Sequence, residues 1–127
     1  MSDHSITSLI EKLEGAEVGS RELNREIALR LESKLWLVSS GRHKVERNGR
    51  AVNMPAYSTS LDAALALAER FWPGQEYEIT TLYGVARVTL NMNHGDQAGP
   101  HYGHNDCGHA PSAICAAILR AQSEARV

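Results

Sequence analysis

Two stretches of alternating apolar and polar residues, joined by Tyr83-Gly84, restrict the fold of this chain more than any other feature. In the second stretch, one set of alternate positions is apolar and the other is largely polar. The apolar set is Ala86, Val88, Leu90 and Met92. Because neighbouring side chains of a strand point to opposite faces of a sheet, the pattern predicts an antiparallel strand pair over 77–92 with one buried face.

Four other segments repeat apolar residues at the period of an amphipathic helix. They are residues 4–14, 21–33, 61–71 and 111–125. Ser20 and Ser60 are expected to cap two of these helices, Gly15 to end the first in the left-handed conformation, and Pro111 to open the last. One core is predicted to hold Leu65, Val88, Leu90, Ile114 and Ile118.

Asn48-Gly49 predicts a hairpin between 44–47 and 50–54, because both central residues of a type I′ turn need positive φ. Residues 36–38 are either a strand or the tail of the second helix, and residues 93–110 are expected to be loop. The predicted order is α-α-β-β-α-β-β-α. It indicates one α+β domain, 1–127, in which helices flank a small, mostly antiparallel sheet as an αβα sandwich.

The composition excludes several classes of protein. The 127 residues carry a net charge of −2, so no global positive field attracts nucleic acid or an anionic membrane. No apolar run approaches the roughly 20 residues of a membrane span, and the first ten residues lack a secretory signal. Cys107 and Cys115 are expected to stay unpaired, which fits the reducing environment of a cytoplasm.

Four segments together resemble the phage ABA-sandwich domain family, which comprises small accessory proteins of tailed bacteriophages. They are residues 20–23 (SREL), 55–65 (PAYSTSLDAAL), the strand pair after Trp72, and 110–119 (APSAICAAIL). The resemblance covers most of residues 8–122. It implies an αβα layered domain and a phage or prophage origin, and it supplies no catalytic residues to carry over.

Basic residues are concentrated around the predicted hairpin. Arg42, Lys44, Arg47 and Arg50 place four positive charges within nine residues, opposed only by Glu46. One interpretation is a projecting basic finger that binds nucleic acid or an acidic protein groove, and the other is an ordinary solvated hairpin. No aromatic residue interleaves with the charges, so recognition by base stacking is not indicated.

The segment 93–110 contains the candidate metal ligands His94, His101, His104, Cys107 and His109. Imidazole and thiolate groups bind zinc, and a metal-dependent hydrolase using this loop is the alternative function. Against it, the spacing matches no established zinc pattern, so structural or solvated histidines remain an open interpretation. A third possibility is an anion site, because His104 and His109 precede the free N–H groups that begin the last helix.

Among the aromatic residues, Tyr57 and Tyr102 are the candidates for an exposed contact surface. The other aromatic side chains are expected to pack in the core or at its rim. They are Trp36, Phe71, Trp72, Tyr77 and Tyr83.

No Gly-x-Ser-x-Gly, Walker or Rossmann motif is present, so the chain is expected not to be an enzyme and to need no cofactor. With the family resemblance, this indicates a non-catalytic phage protein that inhibits host defence in an anti-CRISPR-like manner. In the cytoplasm of a bacterial host, it would block a host protein complex or sequester an anionic nucleotide signal. The candidate binding residues are Arg42, Lys44, Arg47, Arg50, Tyr57, Tyr102, His104 and His109.

Overall fold

A computed structural model describes residues 2–31, 35–37, 43–71, 76–92 and 99–125 of the chain. The helices are α1 (Ser2–Gly15), α2 (Arg21–Leu31), α3 (Leu61–Phe71) and α4 (Ala110–Ala125). The strands are β1 (Leu35–Leu37), β2 (His43–Arg47), β3 (Arg50–Asn53), β4 (Glu76–Leu82), β5 (Val85–Met92) and β6 (Gly99–Asn105). The α+β class and the four predicted helices are confirmed.

The strands form two antiparallel sheets of three strands each, β1-β2-β3 and β4-β5-β6. Both predicted turns adopt the left-handed backbone of a type I′ hairpin. The φ angles are 52° and 78° at Asn48-Gly49, and 53° and 76° at Tyr83-Gly84. Residues 36–38 were predicted to be either a strand or the tail of the second helix. Trp36 and Leu37 belong to a strand, and residue 38 lies outside the described residues.

The prediction that residues 93–110 form only loop is wrong for Gly99–Asn105, which is strand β6. β6 pairs with β5 along its whole length, from Met92↔Gly99 to Ala86↔Asn105. Glycine, proline and asparagine favour strands poorly, so this strand owes its conformation to β5 and to the helix packed on it. Residues 93–98, including His94, lie outside the described residues.

Helix α4 is the centre of the core. All residues from Pro111 to Leu119 are buried, and the helix contacts β5 and β6 as well as α1 and α3. Of the five residues predicted to share the core, four are buried and Leu65 is half-buried. On α3, Leu67 is completely buried. No helix in the described ranges combines the length and the hydropathy of a membrane span.

The close approach of β6 to α4 depends on small side chains. A Cβ atom added at Gly103 would lie 2.9 Å from Cβ of Ala117, and it would collide with the backbone carbonyl of Ala113. Only glycine therefore allows the strand to lie against the helix at this separation.

Two of the four predicted helix-terminal signals, the serine caps, are confirmed, and α4 begins at Ala110, one residue before Pro111. Ser20 Oγ accepts a hydrogen bond from Leu23 N at 3.1 Å, and Ser60 Oγ accepts one from Ala63 N at 3.2 Å. Gly15 does not adopt a positive φ, so the left-handed end predicted for α1 is wrong. The carbonyl of Glu14 is instead satisfied from outside the helix, by Asp106 N at 2.8 Å.

Asn105 supplies the other hydrogen bonds between the end of α1 and the turn before α4, and its side chain is completely buried. Its Nδ2 donates to the carbonyls of Leu13 and Ala16 at 2.7 and 2.8 Å. Its Oδ1 accepts from the N–H groups of Cys107 and His109, both at 2.9 Å. One amide thus satisfies carbonyls at the end of α1 and N–H groups just before α4.

Replacing Asn105 by alanine should strongly destabilise the domain, because two carbonyls and two N–H groups lose their partner. Each buried polar group left unsatisfied costs about 1–3 kcal/mol, so the free energy of unfolding should fall by about 3 kcal/mol or more. Urea denaturation measures this change. Asn53→Ala, at an exposed position of β3, is the matched control and should change it little. Similar losses in both variants would contradict the role given to Asn105.

Candidate ligand-binding face of the second sheet

The β4-β5-β6 sheet buries one face against α4 and leaves the other accessible. On β5, Ala86, Val88 and Leu90 are buried, whereas Arg87 is exposed. The strand register places Thr80, Arg87 and His104 in one row across the accessible face. The neighbouring row consists of Glu78, Thr89 and Tyr102. We call this surface the open face.

A groove with a volume of about 580 Å³ lies on the open face. Its lining includes Thr80, Arg87, Thr89, Tyr102, His104 and Asp106. Ligand pockets in proteins commonly measure about 300–1,000 Å³, so the groove has the size of a small-molecule site. It joins two of the binding residues predicted from sequence, Tyr102 and His104.

His104 is held by acidic side chains on both sides of its ring. Nδ1 lies 3.3 Å from Glu14 Oε2, and Nε2 lies 3.4 Å from Asp106 Oδ1. The same Glu14 oxygen accepts a hydrogen bond from Arg120 Nη2 at 2.8 Å, and Arg120 Nη1 donates to the carbonyl of Tyr102 at 2.9 Å. This network ties the end of β6 to α1 and α4, and it orients the imidazole at the rim of the groove.

Arg87 was not among the predicted site residues, yet it is the cation at the centre of the row. Its side chain is exposed, and it makes no hydrogen bond or ion pair with any residue of the described ranges. A guanidinium offers five N–H donors in a planar fork that matches carboxylate and phosphate oxygens. The open face therefore presents one unpaired positive group that suits an anionic ligand.

The other candidate metal ligands do not converge on His104. His101 is buried on the opposite face of β6, and exposed Cys107 lies in the turn before α4. Across the described residues, no three His, Cys, Asp or Glu side chains are close enough to hold a metal ion. His94 lies outside these residues, so the zinc hypothesis stays a prediction.

His109 has a structural contact that sequence analysis did not reveal. Its Nε2 lies 2.7 Å from the carbonyl oxygen of Ser58, to which the ring N–H donates. Ser58 is completely buried, and Asn24 Oδ1 accepts from both its N and its Oγ, at 2.7 and 2.6 Å. Ser112 and Ala113 are buried as well, so the predicted anion site at the start of α4 is closed to a ligand.

Tyr57 was predicted to be exposed, and this prediction is wrong. The residue is only 1% exposed, and its hydroxyl accepts a hydrogen bond from Arg47 Nη2 at 3.0 Å. Its carbonyl accepts one from Cys115 Sγ at 3.3 Å. Both cysteines are free, as predicted, and burial raises the pKa of the Cys115 thiol, which therefore stays protonated at neutral pH.

The basic hairpin offers fewer accessible charges than its sequence suggested. Arg47 is engaged with Tyr57, Lys44 is half-buried, and Arg50 is exposed, while Arg42 lies outside the described residues. The hairpin is also attached to the core, because Val45 is completely buried. It is therefore a packed part of the domain rather than a projecting finger.

Three of the aromatic residues predicted to pack in the core or at its rim are exposed at the surface. Trp36 is 42% exposed, Tyr77 50% and Tyr83 94%. The side chain of Phe71 and the whole of Trp72 are not among those described. Tyr102, at 57% exposed, is accessible as predicted.

Comparison with known proteins assigns the chain to no family. No protein-family model matches the chain, and no curated protein matches it. The crystal structure of a phage protein from Bacillus cereus is similar with a TM-score of 0.49 and 20% sequence identity. The match covers 80% of this chain and 89% of that protein.

Because Arg47 is hydrogen-bonded to Tyr57 and Arg50 is exposed, replacing these two arginines of the same hairpin should affect stability differently. Arg47→Ala should lower the free energy of unfolding by about 1–3 kcal/mol, because the buried Tyr57 hydroxyl loses a partner. Arg50→Ala, at an exposed position, should change it by less than about 0.5 kcal/mol. Thermal unfolding followed by circular dichroism measures both, and equal melting temperatures would contradict this account of the hairpin.

Proposed function

We propose that this chain is a phage-encoded, non-catalytic protein that binds an anionic nucleotide on the open face and so sequesters a nucleotide signal of the host. The observation that carries the proposal is the unpaired Arg87 guanidinium in a groove of about 580 Å³ beside the exposed ring of Tyr102. The phage origin rests on the resemblance of the four sequence segments to phage ABA-sandwich domains.

Arg87 is placed to bind phosphate oxygens. Thr80 lies directly across from it on β4, and Thr89 follows two residues later on the same face. Two parallel N–H···O bonds from the guanidinium, with hydroxyl donors beside it, form a site for one phosphate group. His104, on the other side of Arg87, is already engaged by Glu14 and Asp106, so the phosphate depends mainly on the arginine.

Tyr102 is placed to bind the base. It pairs with Thr89 in the register, so it is a diagonal neighbour of Arg87 across the two strands, at a Cα separation of about 7–8 Å. Stacking of a base on an aromatic side chain contributes about 1–3 kcal/mol and accepts any base. The exposed carboxylate of Asp106 at the rim can accept hydrogen bonds from a ribose hydroxyl or an exocyclic amine.

The hairpin supports a macromolecular partner less well. A basic finger that blocks a host protein complex or nucleic acid needs several accessible cations, and Arg47 is committed to a buried tyrosine. The groove, in contrast, combines a cation, hydroxyls and an aromatic ring at the scale of one small molecule. We therefore favour the nucleotide over the macromolecule.

Isothermal titration with ATP, GTP, AMP and cyclic di-GMP tests the proposal. At least one of these probes should bind the wild-type chain, and Arg87→Ala should weaken that binding by about ten- to a hundredfold, the loss of a charge-assisted interaction of about 1.5–3 kcal/mol. Arg50→Ala removes an equally exposed arginine from the hairpin and should leave the affinity unchanged.

Three results would count against the proposal. Equal losses in the two variants would show a non-specific charge effect, and failure of every probe to bind would favour a host protein as partner. Chromatography of the nucleotide after incubation should recover it intact. Hydrolysis products would favour the alternative hydrolase, whose metal would appear in elemental analysis of untagged protein.

A further inference from the structure

Strand β4 is an exposed edge of its sheet. It pairs with β5 on one side, and no other described helix or strand packs extensively along it. Six of its seven residues are exposed, and Ile79 is half-buried. The N–H and C=O groups directed away from β5 are therefore available to another strand.

The opposite edge of the same sheet is different, because α1 contacts β6. At the end of β6, Asp106 N donates to Glu14 O at 2.8 Å, and the Asn105 amide donates to Leu13 O at 2.7 Å. These contacts occupy part of that edge with the end of a helix. A strand from outside has freer access to β4 than to β6.

β4 carries two glutamates but otherwise lacks the features that usually protect an edge strand from pairing. It contains no proline and no lysine, and its pairing with β5 runs without a bulge from Glu76↔Asn91 to Leu82↔Val85. Large apolar side chains are exposed at both ends of the strand, with Tyr77 at 50% and Leu82 at 61%. This combination is typical of a strand that has a partner.

We propose that β4 pairs antiparallel with β4 of a second copy of this chain, about a twofold axis at Ile79, and joins two sheets into one of six strands. In this register Glu76 lies opposite Leu82, Tyr77 opposite Thr81, and Glu78 opposite Thr80 of the other copy. A strand that is opposed to itself in this way gives the closed, symmetric interface of a dimer.

The distribution of charge along β4 favours antiparallel over in-register parallel pairing of the two copies. Both acidic residues, Glu76 and Glu78, lie in the first half of the strand. An in-register parallel pair would place each glutamate beside its own copy, and like charges directly opposite are destabilising. The antiparallel pair places each glutamate opposite an uncharged residue. The strand edge and the groove share Thr80, but the pairing uses the backbone groups of β4 and does not depend on a bound nucleotide.

The mass of the full chain in solution, by sedimentation equilibrium from about 1 to 100 µM, tests the pairing. The wild type should reach twice the 13.9 kDa of one chain.

Leu82→Glu puts a second carboxylate opposite Glu76 at two symmetric points, and the dimer should weaken at least tenfold. Adding Glu76→Lys to that variant converts both repulsions into ion pairs and should restore it. Leu29→Glu, at a residue of α2 that is 46% exposed, is the matched control and should still dimerise.

A monomer at every concentration would overturn the proposal, as would a dimer indifferent to Leu82→Glu or a double variant that stays monomeric. Circular dichroism establishes that each variant is folded. A measurement on the wild type needs no variant: alternate amides of β4 should exchange hydrogen more slowly as the protein concentration rises. Exchange rates independent of concentration would also overturn the pairing.

Discussion

The buried side-chain amide of Asn105 is the interaction on which the second sheet and its surroundings depend. It holds the end of α1 and the turn before α4 with four hydrogen bonds. Because His101, Gly103 and Asn105 are all buried on one side of β6, the intervening residues Tyr102 and His104 must lie on the other. One buried polar group thereby determines which side chains of β6 are presented on the open face.

A second buried polar cluster holds the segment before α3 in the same way. Ser58 is bonded to Asn24 and to Ser20 of the α2 cap, and its carbonyl accepts from His109. A Cβ atom at Gly19 would collide with the Ser58 carbonyl, so the two chain segments touch directly. Ser58 and His109 are therefore both engaged in contacts within the fold. The open face, in contrast, presents the exposed Arg87 guanidinium without a partner among the described residues.

Local signals sufficed for the helices, for the serine caps and for both type I′ turns, because periodicity and turn chemistry are encoded by neighbouring residues. They failed at β6, whose glycines and histidines carry no strand preference and pair with β5 only in the folded chain. Arg87 was missed as a candidate binding residue for the same reason. Alternation on β5 turned Arg87 outward, but only the register with β6 brings it beside Tyr102 and His104. Tyr57 and Tyr102 were both predicted to be exposed, and only the tertiary contacts of the folded chain make Tyr57 buried and Tyr102 accessible.

The buried hydrogen bonds of Asn105 and Ser58 thus hold the fold together, and the proposed ligand-binding residues lie apart from them on the open face. Chemical-shift mapping on the ¹⁵N-labelled chain, titrated with ATP, GTP, AMP or cyclic di-GMP, tests that separation most directly. The account predicts that the amides of Arg87, Thr89, Tyr102 and His104 shift with a common dissociation constant, while those of Lys44, Arg50 and His109 stay in place. Shifts confined to the hairpin or to the 106–109 turn would contradict it.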